Sequence, residues 1–93
     1  MARKTWYRPK DPDEVRDYGV TWTADIGTAV ISASAWESVE GEAVVDANSF
    51  TDTTTTVRIS GGAAGETCAL LNTVTLDTGE IAQLTCYLKI RDR

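Results

Sequence analysis

The chain has 93 residues, a formal charge of −5 and no histidine. That length makes a single domain and leaves no room for a multi-lobed catalytic cleft. The acidic balance argues against a nucleic-acid partner, and no apolar run is long enough to span a bilayer, so no membrane partner is expected. The charge is uneven, however. Arg3, Lys4, Arg8 and Lys10 all come before Asp11, the first of 14 acids. This basic start is followed by acids rather than an apolar stretch, so it does not read as a secretory signal.

Threonine, valine, isoleucine, tryptophan and tyrosine recur, and no long stripe of 3.6-residue period is present, so the composition is that of a β protein. Residues 1–12 read as an extended N-terminal arm and linker, because Pro9 and Pro12 forbid helix and hold the residues before them extended. Residues 13–93 read as one sandwich domain. Asp13–Arg16 is irregular. Tyr18, Val20 and Trp22 alternate with Gly19, Thr21 and Thr23, which predicts a strand with the three large residues facing a core. Gly27 ends it. Ala29–Trp36 is a second strand, Ala43–Val45 a short third, and Asp46–Ser49 a turn before a weakly marked strand from Phe50.

Thr55, Val57 and Ile59 form one face of a further strand, and Gly61–Gly65 a turn after it. Cys68, Leu70, Asn72, Val74 and Leu76 then line one face of a long strand. Asp77-Thr78-Gly79 is a hairpin turn. Ala82, Leu84, Cys86, Leu88 and Ile90 form the inward face of the last strand. Short strands with turns every 8–12 residues predict a sandwich.

A hairpin folded about Asp77 places Cys68 opposite Cys86 on the inward face. Three readings stay open for the pair: buried free thiols acting as small apolar side chains, a cross-strand disulfide, which needs an oxidising compartment, or a metal or redox site, for which the residues lack a histidine or a CxxC spacing.

Other candidate chemistry reads poorly. The run Asp11, Asp13, Glu14, Asp17 lacks the glycine bend of a calcium loop. It reads as a solvated lead-in or a partner for a neighbour's basic arm, and Asp11 and Asp13 can bond backbone amides around Pro12. The glycines of Ser60–Glu66 lie between strands and without a lysine, unlike a phosphate loop. No serine or threonine has a histidine to activate it. No catalytic, cofactor-binding or metal site is therefore assigned, and no small-molecule substrate is expected.

Trp6 and Tyr7 ask for a partner. They lie in the arm between Lys4 and Arg8, outside any local core pattern. They either pack back onto their own domain or dock on another chain, where aromatic residues and arginine often carry the binding energy. An extended arm can also add a strand to a neighbour's sheet. The candidate partner interface is Trp6, Tyr7, Arg8, Lys10, Asp11 and Asp13. Removing residues 1–9 is expected to leave the sandwich folded and to abolish assembly.

The segments KDPDEVRDYGVTW (Lys10–Trp22), ISASAW (Ile31–Trp36), SFTDTTTTVRISGGAAGETC (Ser49–Cys68) and LKIRDR (Leu88–Arg93) resemble small structural proteins of tailed bacteriophages and prophages, of the fibre–tail adaptor type. The resemblance runs over nearly the whole chain from Lys10. It implies an all-β, immunoglobulin-like β-sandwich of about six to eight antiparallel strands behind the arm. It implies a non-enzymatic virion protein at the neck or tail, linking tail to fibres. Its partners would be other copies of itself and neighbouring tail, neck or fibre proteins. Its location would be the virion, assembled in the host bacterial cytoplasm. Arg16 stands where the family pattern suggests an apolar residue, and the two cysteines where larger aromatic or aliphatic residues are usual. A capsid decoration or cement protein of the same fold is the alternative. A carbohydrate-binding module is a third reading, for which Tyr87 is the one clear outward aromatic of the final hairpin.

Overall fold

A computed structural model describes residues 3–92. Strands take 67% of it and helix 4%, so the protein is all-β. Seven strands follow one another: β1 (Arg3–Lys10), β2 (Arg16–Thr21), β3 (Ile31–Glu40), β4 (Ala43–Phe50), β5 (Thr54–Gly61), β6 (Thr67–Leu76) and β7 (Ile81–Ile90). A one-turn helix, α1 (Thr23–Ile26), sits between β2 and β3. The strands form two sheets, ordered β1-β7-β6-β3 and β2-β5-β4. All pairings are antiparallel except that of β1 with β7, which is parallel.

The alternating faces are where the sequence places them. Tyr18, Val20 and Trp22 are buried, as are Val57 and Ile59 of β5, Cys68, Leu70, Val74 and Leu76 of β6, and Leu84, Cys86, Leu88 and Ile90 of β7. These inward rows of the two sheets meet to form one core. A polar node crosses it. Asn72 of β6 accepts hydrogen bonds from Trp22 Nε1 (3.1 Å) and Thr55 Oγ1 (2.7 Å), which belong to the opposite sheet's side. Its Nδ2 donates to Ser34 Oγ (3.1 Å) and the Ala35 carbonyl (2.9 Å) on β3. Every polar atom of the Asn72 amide is thus engaged, which is the condition for burying it without a large cost.

Strand ends shift, with β3 running to Glu40 rather than Trp36 and Phe50 closing β4 rather than opening the next strand, and four further details differ from the sequence reading. First, Trp22 leads into α1 rather than continuing the strand, and Ile26 is buried on the helix's inner side. Second, β4 is one strand through Asp46–Ser49. Asp46 is an extra residue between the pairs Val45–Ile59 and Ala47–Arg58. Turn-forming residues here make a bulge on an edge strand, where both faces of the strand are largely exposed.

Third, the last hairpin folds about Thr78. The Leu76 amide donates to the Glu80 carbonyl (2.8 Å) and the Gly79 amide to the Leu76 carbonyl (2.9 Å). This closes a three-residue loop with Gly79 at a φ of 92°, the left-handed position such loops need. Cys68 therefore faces Leu88 and Cys86 faces Leu70. The cysteines share the inward face but are not opposite each other, and both are free, buried thiols. Burial pushes the Cys68 thiol up and raises Cys86 to about 12.

Fourth, residues 3–10 are extended but lie along the sandwich. Arg3 to Trp6 pair with Thr85 to Leu88. The parallel pairing arises because the chain turns at Asp11–Val15 and crosses to the other sheet, so β1 runs beside β7 rather than beside β2. Trp6 is 7% exposed and belongs to the core. Its ring stacks on Tyr18 (4.8 Å between centroids) and meets Trp36 at 5.8 Å. Its Nε1 donates to the Gly19 carbonyl (3.0 Å).

At the end of the sandwich where β6 begins, one carboxylate ties several loops. Glu66 Oε2 accepts from the Ala63 amide (2.7 Å), the Glu42 amide (3.0 Å) and the Cys68 thiol (3.3 Å). The two amides hold its carboxyl below the usual 4.5.

Four outcomes follow from this packing. Trp6→Ala, which opens a core cavity, is expected to lower unfolding free energy by about 3–5 kcal/mol in a urea titration. Removal of residues 1–9 should consequently destabilise the sandwich as well as alter its contacts. Both cysteines are expected to resist a thiol reagent in native buffer and to react fully in urea, because buried thiols of raised pKa carry little thiolate. Glu66 stabilises the folded state above pH 4.5, and that contribution is lost as pH falls through its lowered folded value. Glu66→Gln is therefore expected to have a lower urea midpoint than the wild type at neutral pH, with the two converging in strong acid.

Candidate partner-binding ledge

The site is built on the seam between the first and last strands. Trp6 pairs with Leu88, and the next pair is Lys10 with Ile90. Three residues, Tyr7, Arg8 and Pro9, thus stand against Lys89 alone. Pro9 has no N–H to give to a ladder, so a bulge here is the arrangement its chemistry allows. The bulge throws Tyr7 outward, 92% exposed. A shallow groove of about 270 Å³ runs beside it, lined by Thr5, Trp6, Tyr7, Pro9, Lys89 and Arg91.

The bulge is held from beneath. Tyr18 Oη donates to the Arg8 carbonyl (3.0 Å). The Arg91 amide donates to the Lys10 carbonyl (2.8 Å). Lys10 is fully buried, and its Nζ donates to the Asp11 carbonyl (2.8 Å) and to the Gly61 carbonyl. Burial pushes the Lys10 ammonium below its ordinary 10.5, while Glu14 and Asp11 pull it back up. A buried ammonium of this kind is tolerated because carbonyl oxygens replace its water.

The turn after β1 is closed by its own acids. The Asp13 amide donates to Asp11 Oδ1 (2.9 Å), the Asp11 amide to Glu14 Oε1 (2.8 Å) and the Glu14 amide to the Asp11 carbonyl (3.0 Å). Arg16 Nη2 donates to Glu14 Oε2 (2.7 Å). This is the local bonding around Pro12 that the aspartates suggest.

The six sequence-selected residues therefore divide. Tyr7, Arg8 and Asp13 are exposed, whereas Trp6 and Lys10 are interior and Asp11 is half-buried in the turn. The structure adds Lys89 and Arg91, which line the groove with Tyr7. The outward place of Lys89, and of Arg91 in step with it just after β7, is visible in the sequence, but the parallel pairing that brings them to Tyr7 joins residues some 80 positions apart and leaves no local pattern. Arg3 also lies over the Tyr87 ring, 5.9 Å from its centroid.

A second groove of about 280 Å³ lies on the outer face of β2-β5-β4, lined by Asp17, Ala47, Asn48, Ser49, Thr56 and Arg58. Arg58 Nε and Nη2 donate to the two Asp17 oxygens (2.9 and 3.2 Å), holding that carboxyl below its ordinary value. Among the described residues no cluster of three or more Cys, Asp or Glu side chains is placed to hold a metal ion. The β1–β7 ledge presents one projecting aromatic ring with cations around it, over a floor of buried, hydrogen-bonded residues.

Residues 10–89 match the model of the podophage GP4 fiber-tail adaptor protein gp77. The chain belongs to this family. The gp77 match begins at Lys10, the last residue of β1, and ends at Lys89 in β7. It spans the turn at Asp11, all of β2 to β6 and most of β7, and leaves out most of β1. As a fibre–tail adaptor the protein is a virion component of the phage tail. No curated protein matches the chain.

The ledge and its floor should separate in experiment. Lys10→Met keeps the buried stem but leaves two carbonyls without their donor, and is expected to cost about 1–3 kcal/mol of stability. Tyr7→Ala should change stability by no more than about 0.5 kcal/mol, as for exposed positions generally. Urea denaturation of the two variants checks both.

Proposed function

We propose that this gp77-family protein is a non-enzymatic building block that works in several copies and joins the phage tail to its fibres. Tyr7, Arg8 and Asp13 make its contacts, and Trp6, Lys10 and Asp11 hold them in place. The observation that carries this reading is the family match over residues 10–89. The ledge supports it physically, since a projecting tyrosine flanked by arginine suits a protein interface. The absence of histidine from the sequence fits a binding rather than a catalytic role.

On this reading the protein binds tail and fibre proteins and other copies of itself, and assembly takes place in the host bacterial cytoplasm. The sandwich is read as immunoglobulin-like. Its sheets β2-β5-β4 and β7-β6-β3 follow the B-E-D and G-F-C order of that fold, with β1 added beside the last strand.

The test is localisation on purified particles. An antibody against the protein, carried on gold, is expected to label the point where fibres leave the tail in electron micrographs. Particles lacking the protein are expected to lose fibres and to keep intact capsids. Gold spread over the capsid shell would favour the decoration reading and overturn this one.

A further inference from the structure

β1 and β3 are the two outermost strands of the four-stranded sheet. An outermost strand leaves alternate backbone groups open to another strand. The two edges differ in charge. Among the residues of β1 and β7, Arg3, Lys4, Arg8 and Lys89 are exposed cations and none is an acid; Asp11 follows β1 and Arg91 follows β7. From β3 through β4, Glu37, Glu40, Glu42 and Asp46 are acids and none is a cation.

Each edge also carries an exposed apolar residue at a break in its ladder. On β1 it is Tyr7, between the pairs of Trp6 and Lys10. On β3 it is Val39, 44% exposed, between the pairs of Ser38 and Glu40. Tyr7 has Arg8 beside it in sequence and shares its groove with Lys89 and Arg91. Val39 has Glu37 and Glu40 beside it in sequence. The two edges are therefore complementary in both charge and apolar centre. They lie at opposite sides of one sheet, so a single molecule cannot bring them together.

We infer that the β1 edge of one copy docks on the β3 edge of the next, head to tail, with Tyr7 against Val39 and Arg8 and Lys89 against Glu37 and Glu40. This rests on the reading that the adaptor works in several copies, and names the surfaces that join them. Such a contact uses two different patches, so it propagates into a ring or an open filament and does not stop at a dimer. The bulges interrupt a full-length ladder between copies. Selection of the partner therefore falls to the side chains around Tyr7 and Val39, with charge steering the approach.

The test uses the full chain in two charge-reversed forms, Arg8→Glu with Lys89→Glu and Glu37→Lys with Glu40→Lys. All four positions are exposed, so folding is expected to survive and is checked by circular dichroism. Mass by light scattering is followed against concentration and salt. The wild type is expected to associate, less so as salt rises. Each reversed form alone should associate at least about tenfold more weakly. An equimolar mixture should regain wild-type association, because each reversed edge then meets an opposite one. A mixture no tighter than its components, or reversed forms that associate like the wild type, would overturn the contact. So would a wild type that stays monomeric to about 1 mM, the weak end of specific binding. Antibody labelling of particles made with the reversed forms separates the two ideas: labelling at the fibre junction unaffected by edge reversal removes the head-to-tail contact and leaves the adaptor role standing.

Discussion

The position of the Trp6 ring decides most of what this molecule can present to others. The ring stacks on Tyr18 and meets Trp36 inside the sandwich, and its N–H is taken by the Gly19 carbonyl. A strand at the start of a chain is commonly loose unless something ties it down. Here a large apolar side chain does so, and it joins the edge of one sheet to the edge of the other. Tyr7 and Arg8, the next two residues, inherit that rigidity. A backbone already held in place loses less freedom on binding, which favours tight association over a given area.

The interior is specified by more than apolar matching. A core of valine, leucine and isoleucine tolerates several arrangements of similar volume. The Asn72 amide does not, because its four contacts require Trp22, Thr55, Ser34 and Ala35 to be where they are. Two sheets that could slide over one another are thereby held in a single alignment. The buried Lys10 acts in the same way at the end of the sandwich, where it draws the carbonyls of Asp11 and Gly61 to one point. Both groups would be costly in any packing that left them unbonded.

The sequence was legible where alternation is strong and one face is dry. The rows Tyr18-Val20-Trp22, Thr55-Val57-Ile59 and those of the last hairpin all face inward as their period of two requires. It misled where polar residues sit on an edge. Asp46 to Ser49 have the composition of a turn but continue β4 through a bulge, since an edge strand exposed on both faces makes little demand for apolar residues. The hairpin centre was displaced by one residue because Gly79 takes the third place of a three-residue loop, and the facing of Cys68 and Cys86 changed with it. At the ledge, the importance of Trp6 and Tyr7 could be read, but not which of them turns inward. That depends on a partner strand at the far end of the chain.

The parallel seam between β1 and β7 also sets an order of events in time. The residues of β1 are made well before those of β7, their hydrogen-bonding neighbour. Pairings between such distant segments are slow to form because a long loop must close first. Through synthesis, then, an aromatic, cationic segment stands without its seat while the other strands can begin to condense. It can take its place only once β7 has been made. The surface bearing Tyr7 is consequently completed only after β7 has joined β1, since Lys89 and Arg91 line the groove beside it.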